Sequence, residues 1–171
     1  ITEDITINEG TFESTSQNEN TISVNGGVTV TLSNISVTKT GDSDGGDNTS
    51  FYGTNSAIIA KSGANLTLEN ISVKTNAAGA NGVFSYGESA TTNNSSSDGT
   101  TITISDSSIT TLKDNSGGIM TTGGGNMNVY NLTINTSGTS SAAIRTDRGG
   151  GTVTVEGGTH TTFLYITLYL S

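Results

Sequence analysis

The chain has 171 residues and carries 15 acidic and six basic side chains, which gives a formal net charge of −9. Nucleic acids and anionic lipid surfaces bind concentrated positive charge, so this balance argues against both as partners. The sequence has no run of eighteen apolar residues and no cysteine, which argues against membrane insertion and excludes disulfides and thiolate metal sites.

A motif of apolar residues alternating with Thr or Ser recurs along the whole chain. It reads Val-Thr-Leu-Ser-Asn-Ile-Ser-Val and then Leu-Thr-Leu-Glu-Asn-Ile-Ser-Val in its two clearest copies. The six copies start at Ile5, Val30, Leu66, Ile102, Met127 and Val153, with spacings of 25, 36, 36, 25 and 26 residues. Alternation with a period of two predicts short β-strands and no helices.

A second motif, a small residue followed by an apolar one, falls between successive copies of the first. It is centred on Ile22, Ile58, Val83, Ile119 and Ile144. Two intervals are 11 residues longer than the rest, and we interpret the excess as loop insertions within residues 41–53 and 88–99. Three short strands per 25-residue repeat predict an all-β fold. We expect a right-handed parallel β-helix (solenoid) of about six coils, forming a single domain over residues 1–171.

The corner that follows the first strand of each repeat carries Asn in three of the six repeats. The residues are Glu9, Asn34, Asn70, Asp106, Asn131 and Gly157. Asn tolerates left-handed backbone, and stacked amides can bond from one repeat to the next. We therefore expect an asparagine ladder at this corner.

The outward positions of the third strand form the candidate binding surface. If the apolar residues of the second motif point inward, their neighbours point outward. The predicted ligand-binding residues are Ile59, Lys61, Phe84, Tyr86, Met120, Arg145 and Asp147, with Phe51 and Tyr52 reaching over them from the first insertion. An exposed apolar and aromatic stripe is typical of a ligand or partner surface. The alternative is that the insertions cover Ile59 and Phe84 as a satellite core.

The first insertion also contains a candidate calcium site. Asp42, Asp44 and Asp47 alternate with Gly and Ser, and Ca²⁺ prefers six to eight oxygen ligands. The alternative is an acidic, solvated turn. No cofactor is otherwise required by the sequence.

Catalytic residues are not evident, so we do not expect an enzyme. The single histidine, His160, is interpreted as a surface turn residue. Arg145 and Asp147 would suit a weak calcium-dependent polysaccharide lyase, but an outward salt bridge between them is the simpler interpretation.

Three stretches carry a family resemblance: Gly117–Gly125, Ser141–Val155 and Asn81–Gly87. They resemble pectate-lyase-like β-helix surface proteins of Gram-positive bacteria, most specifically in Arg-Thr-Asp-Arg-Gly-Gly-Gly. The resemblance implies a secreted or cell-surface protein with an adhesin or carbohydrate-binding role, and a polysaccharide or glycan surface as partner.

The resemblance ends after Thr162, where residues 163–171 read as a strand that is apolar on both faces. Such a strand must be covered on both sides, so it is expected to cap the last repeat or to contact a partner. A structural or self-assembling surface protein that associates through this segment is therefore the second functional hypothesis.

Overall fold

The computed structural model describes residues 1–88 and 97–163. In chain order its elements are β1 (Ile5–Ile7), β2 (Gly10–Ser14), β3 (Ile22–Asn25), β4 (Thr29–Ser33), β5 (Ile35–Lys39), α1 (Gly46–Tyr52), β6 (Ile58–Lys61), β7 (Asn65–Glu69), β8 (Ser72–Thr75), β9 (Val83–Tyr86), β10 (Thr101–Ser105), β11 (Ser108–Thr111), β12 (Ile119–Thr122), β13 (Gly125–Ser137), β14 (Ile144–Thr146) and β15 (Gly151–Phe163). Most of the second predicted insertion, and residues 164–171 of the predicted C-terminal strand, lie outside the described residues.

The strands pair in parallel in two sheets. The larger sheet has ten strands and runs β1-β4-β7-β10-β13-β11-β8-β5-β2, with β15 also paired to β13, and the smaller runs β14-β12-β9-β6-β3. The registers follow the sequence repeat, because Val30 pairs with Leu66 and Leu66 pairs with Ile102. The predicted alignment of equivalent residues is therefore confirmed.

The predicted β-helix, however, is corrected by the sheet topology. Three short strands per coil would give three sheets, whereas β13 and β15 each run for 13 residues through the expected sheet boundary, so that there are two. The order of the larger sheet passes from β1 to β13 and back to β2, so the sheet is nearly closed in the manner of a barrel. A nearly closed, barrel-like parallel sheet with a short helix thus replaces the predicted solenoid of separate short strands.

One apolar core lies between the small sheet and the two halves of the large sheet. The halves are β1-β4-β7-β10 and β11-β8-β5-β2, and they meet at β13. All three faces contribute to it, because alternation places every second residue of each strand inside. Leu66 of β7, Ile109 of β11 and Ile58 of β6 are each completely buried in it. The period-two pattern thus translates directly into burial, which is the main driving force for folding.

A column of buried polar residues runs beside this core, at or near the ends of β2, β5, β8, β11 and β13. Its members are in register with one another: Ser14, Lys39, Thr75, Thr111 and Thr136. The Lys39 Nζ donates to the carbonyl oxygens of Ser16 and Gly41, at 2.5 and 2.9 Å. No carboxylate within the described residues forms an ion pair with it. Burial lowers the pKa of Lys39, and the fields of Glu19 and Asp42 oppose this only in part.

The buried ammonium of Lys39 predicts a pH dependence of stability. Because its pKa is lower in the folded than in the unfolded chain, the charged form costs stability below the folded-state pKa. That cost is relieved as the pH rises toward the unfolded value of about 10.4. We expect the free energy of unfolding of the parent, relative to Lys39→Met, to increase as the pH is raised from about 8 to about 10. Urea denaturation at each pH measures this difference, and a difference that stays constant contradicts the prediction.

The asparagine ladder is present at the predicted corner. Asn34, Asn70 and Asn131 adopt φ between 48° and 54°, in the left-handed region. The Asn70 Nδ2 donates to the Asn34 Oδ1 at 2.6 Å, and the Asn131 Nδ2 donates to the Asp106 Oδ1 at 2.7 Å. The ladder is interrupted between Asn70 and Asp106, because an ionised carboxylate accepts hydrogen bonds but cannot donate one.

Replacing Asp106 by Asn is expected to stabilise the fold. The new amide would still accept from Asn131 and could donate to Asn70, and Asn tolerates the φ of 50° at this position. We expect the free energy of unfolding to rise by about 0.5–1 kcal/mol. Glu3→Gln is the control, since it removes the same charge from an exposed position off the ladder. An equal effect of both variants would attribute the gain to net charge alone.

Candidate functional site

The first insertion contains a helix that the sequence pattern does not predict. Helix α1 lies between Gly45 and Gly53, which have φ values of 80° and 70°. The Gly53 N–H donates to the Asn48 carbonyl. Its sequence, Gly-Asp-Asn-Thr-Ser-Phe-Tyr, lacks strong helix formers. A helix of seven residues is marginal on its own, so its contacts with the sheet must stabilise it.

Helix α1 and its flanks cover the outward face of the small sheet. Ile59, Phe84 and Met120 lie side by side on β6, β9 and β12 and form a second apolar cluster, each at most 2% exposed. Gly53 lies against this cluster: a Cβ there would come within 2.7 Å of the Ile59 side chain and 2.8 Å of the Phe84 ring. The Thr122 hydroxyl donates to the Phe51 carbonyl at 2.7 Å.

The predicted exposed stripe is therefore wrong for Ile59, Phe84 and Met120. These residues do point away from the main core, as alternation predicts. They are nevertheless buried, because the insertion folds over them. The alternative hypothesis of a satellite core is confirmed, and these three side chains do not line an open groove.

The half-exposed aromatic residues lie around the edge of this cluster. The Tyr52 and Tyr86 rings meet edge to face with centroids 5.6 Å apart. The Arg148 guanidinium lies 3.9 Å from the centre of the Phe51 ring and bonds to the Asp47 carboxylate at 2.8 Å. We call Phe51, Tyr52, Tyr86 and Arg148 the tyrosine surface.

Two pKa values at this surface are shifted. The hydrogen bond from its side chain to Asp47 raises the pKa of Arg148. Partial burial raises the pKa of Tyr86, with smaller contributions from Tyr52, Glu88 and Asp98. The raised pKa keeps the Tyr86 hydroxyl a neutral hydrogen-bonding group near neutral pH.

Basic residues are concentrated near the tyrosine surface. Lys61 on β6 is in register with Tyr86 on β9. The Asp147 N–H, just after β14, donates to the carbonyl of Thr121 on β12. Together with Arg145 and Arg148, three of the six basic residues therefore lie on this side of the small sheet. Arg145 pairs with Asp147, as the salt-bridge interpretation predicted, whereas no ion pair of Lys61 is seen in residues 1–88 and 97–163.

The three aspartates of the proposed calcium site have separate partners. Asp42 accepts from the Ala78 N–H at 2.8 Å and pairs with Lys113, Asp44 accepts from the side chains of Gln17 and Asn18, and Asp47 pairs with Arg148. The Ala78 bond is the main reason that the pKa of Asp42 is lowered. No cluster of three metal-ligating side chains occurs in the part of the chain that the structure describes. The structure thus does not bring these carboxylates together.

Two features were missed from the sequence. Arg148 lies within the Arg-Thr-Asp-Arg motif, but its ion pair with Asp47, 101 positions away, has no local signal in the sequence. His160 was interpreted as a surface turn residue, which is wrong: it pairs in register with the core residue Ile134, and its Nε2 is buried. Counting the repeat through to β15 would have placed it there.

Comparison with protein-family models, curated proteins and solved structures finds no match for this chain. The resemblance to pectate-lyase-like surface proteins therefore stays a prediction. No helix of the described residues is both long and apolar enough to span a bilayer.

Proposed function

We propose that the protein is a non-catalytic binding module that recognises carbohydrate through the tyrosine surface, at the surface of a cell or outside it. The observation that carries the proposal is the edge-to-face pair of half-exposed rings, Tyr52 and Tyr86, next to the guanidinium of Arg148. Aromatic faces bind the apolar side of a sugar ring, while hydroxyl and guanidinium groups bind its hydroxyls.

The support of the tyrosine surface favours binding over chemistry. Tyr86 projects from a strand, and Tyr52 is held by a helix that is tied to β12 and to Arg148. A rigid support lowers the entropy lost when a ligand binds. Arg148 is engaged in an ion pair with Asp47 and lies over the Phe51 ring, which suits ligand positioning more than proton transfer.

The test is binding of immobilised oligosaccharides of glucose, galactose and N-acetylglucosamine to the parent and to Tyr52→Ala. We expect the parent to bind at least one of them, and the variant to bind about tenfold more weakly because one stacking face is lost. Tyr130→Ala is the matched control, since Tyr130 is 41% exposed on β13, away from α1. Absence of binding by the parent, or equal loss in both variants, would overturn the proposal.

Self-association is a second candidate function, favoured by the exposure of β15. Val155 is 39% exposed and Phe163 is 52% exposed, and β15 pairs with β13 alone within the described residues. An unpaired edge with exposed apolar side chains is a template for another strand. Light scattering should show oligomers that dissociate when residues 163–171 are deleted. A parent that is monomeric at all concentrations rules this function out.

A further inference from the structure

The sequence contains two Asn-Gly pairs, Asn25–Gly26 and Asn81–Gly82. In such a pair the glycine nitrogen can attack the Asn Cγ, because glycine has no Cβ to hinder the approach. A bond forms between that nitrogen and Cγ, the bond from Cγ to Nδ2 breaks, and ammonia leaves. Water then opens the cyclic imide to aspartate or isoaspartate. The fold decides which of the two pairs can follow this route.

Asn25 is placed so that the reaction is open to it. It is exposed at the end of β3, the edge strand of the small sheet, and its side chain makes no hydrogen bond to other described residues. The Gly26 N–H donates to the Lys61 carbonyl at 3.3 Å, which is longer than a typical backbone hydrogen bond. A side-chain atom built on Gly26 would meet nothing within 4 Å, so the backbone has room to move.

Asn81 is held in the opposite situation. It is 4% exposed, and its Oδ1 accepts from the Gly117 N–H at 2.9 Å. The attacking group is also engaged, because the Gly82 N–H donates to the Gly117 carbonyl at 2.9 Å. Deamidation here would require several buried hydrogen bonds to open together.

We propose that Asn25 is a deamidation site of the folded protein and that Asn81 is protected. The product places a new carboxylate in register with Lys61, which forms no ion pair among the described residues. Deamidation would therefore neutralise part of the positive charge that lies next to Tyr86. The modification itself does not depend on the proposed function. The effect of the modification on ligand binding does rest on the proposed function.

The experiment is a time course of the full chain in mildly alkaline buffer, with the acid form at each position quantified by peptide mass spectrometry. We expect the acid form to accumulate at position 25 and not at position 81 while the protein is folded. In urea both positions should convert, which shows that both pairs are chemically competent. Asn25→Gln should abolish the change.

Two results would overturn the assignment. One is an unchanged Asn25 in the folded protein over a period in which the urea sample converts. The other is equal conversion at both positions in the folded state. The effect on ligand binding is measured separately by comparing Asn25→Asp with the parent on the same oligosaccharides, so its failure leaves the modification itself standing.

Discussion

Phe84→Ala is expected to lower the free energy of unfolding by about 3–5 kcal/mol. The ring is completely buried between the small sheet and the insertion that carries α1, in contact with Ile59 and Met120. Truncation removes its apolar burial and leaves a cavity that the rigid parallel strands cannot close. Urea denaturation monitored by circular dichroism measures the loss.

The matched control is Phe163→Ala, because Phe163 is 52% exposed at the end of β15. We expect that substitution to change the free energy of unfolding by no more than about 0.5 kcal/mol. Similar losses for the two variants would show that Phe84 is not covered as described. This result also separates a structural role of Phe84 from a direct role in ligand binding.

Gly118→Ala is the second large effect, expected to destabilise the fold by about 3 kcal/mol through overpacking. Gly118 precedes β12 in register with Ala57, Gly82 and Ala143, which explains the small residue of the second sequence motif. A Cβ on Gly118 would overlap the Ile134 side chain and lie 2.6 Å from the Ala143 carbonyl oxygen. Backbone atoms of the neighbouring segment cannot move aside without breaking the hydrogen bonds between the strands, because the Ala143 carbonyl accepts from the Ile119 N–H.

Gly27→Ala provides the control for Gly118→Ala. A Cβ on Gly27 would meet nothing within 4 Å, and its φ lies outside the left-handed region. The substitution should be neutral or stabilise the protein slightly, because it restricts the unfolded chain. The two variants are compared by their urea midpoints. The packing argument fails if Gly118→Ala leaves the midpoint unchanged.

The registers and the inward-facing positions were predictable because both follow from periods in the sequence. A period of two fixes which residues of each strand point inward, and the repeat fixes which strands are neighbours. The division into sheets was not predictable. It depends on whether the backbone stays hydrogen bonded through the corners at Asn131 and Gly157, where left-handed residues interrupt the pattern without ending the strand.

The candidate site was predicted in part. Tyr86 and Tyr52 are brought together as expected, and Arg145 pairs with Asp147, but the face beneath them is covered. The side to which a residue points follows from alternation, whereas its exposure depends on what an insertion does. A Gly-rich segment of low helix propensity gives no sign that it will form α1, because only tertiary contacts stabilise it.

The residues of one row across the small sheet are apolar where the insertion that carries α1 covers them and polar on either side. The row reads Ser23, Ile59, Phe84, Met120 and Arg145. Its three central members are apolar and sheltered, whereas the two outer ones are polar and partly open to solvent. A seven-residue helix is about 10 Å long, comparable to the distance across three neighbouring strands. The length of the insertion therefore determines how many outward-facing residues of the small sheet can be apolar. A shorter insertion would leave positions 59, 84 and 120 exposed, and these would have to be polar to keep the protein from aggregating.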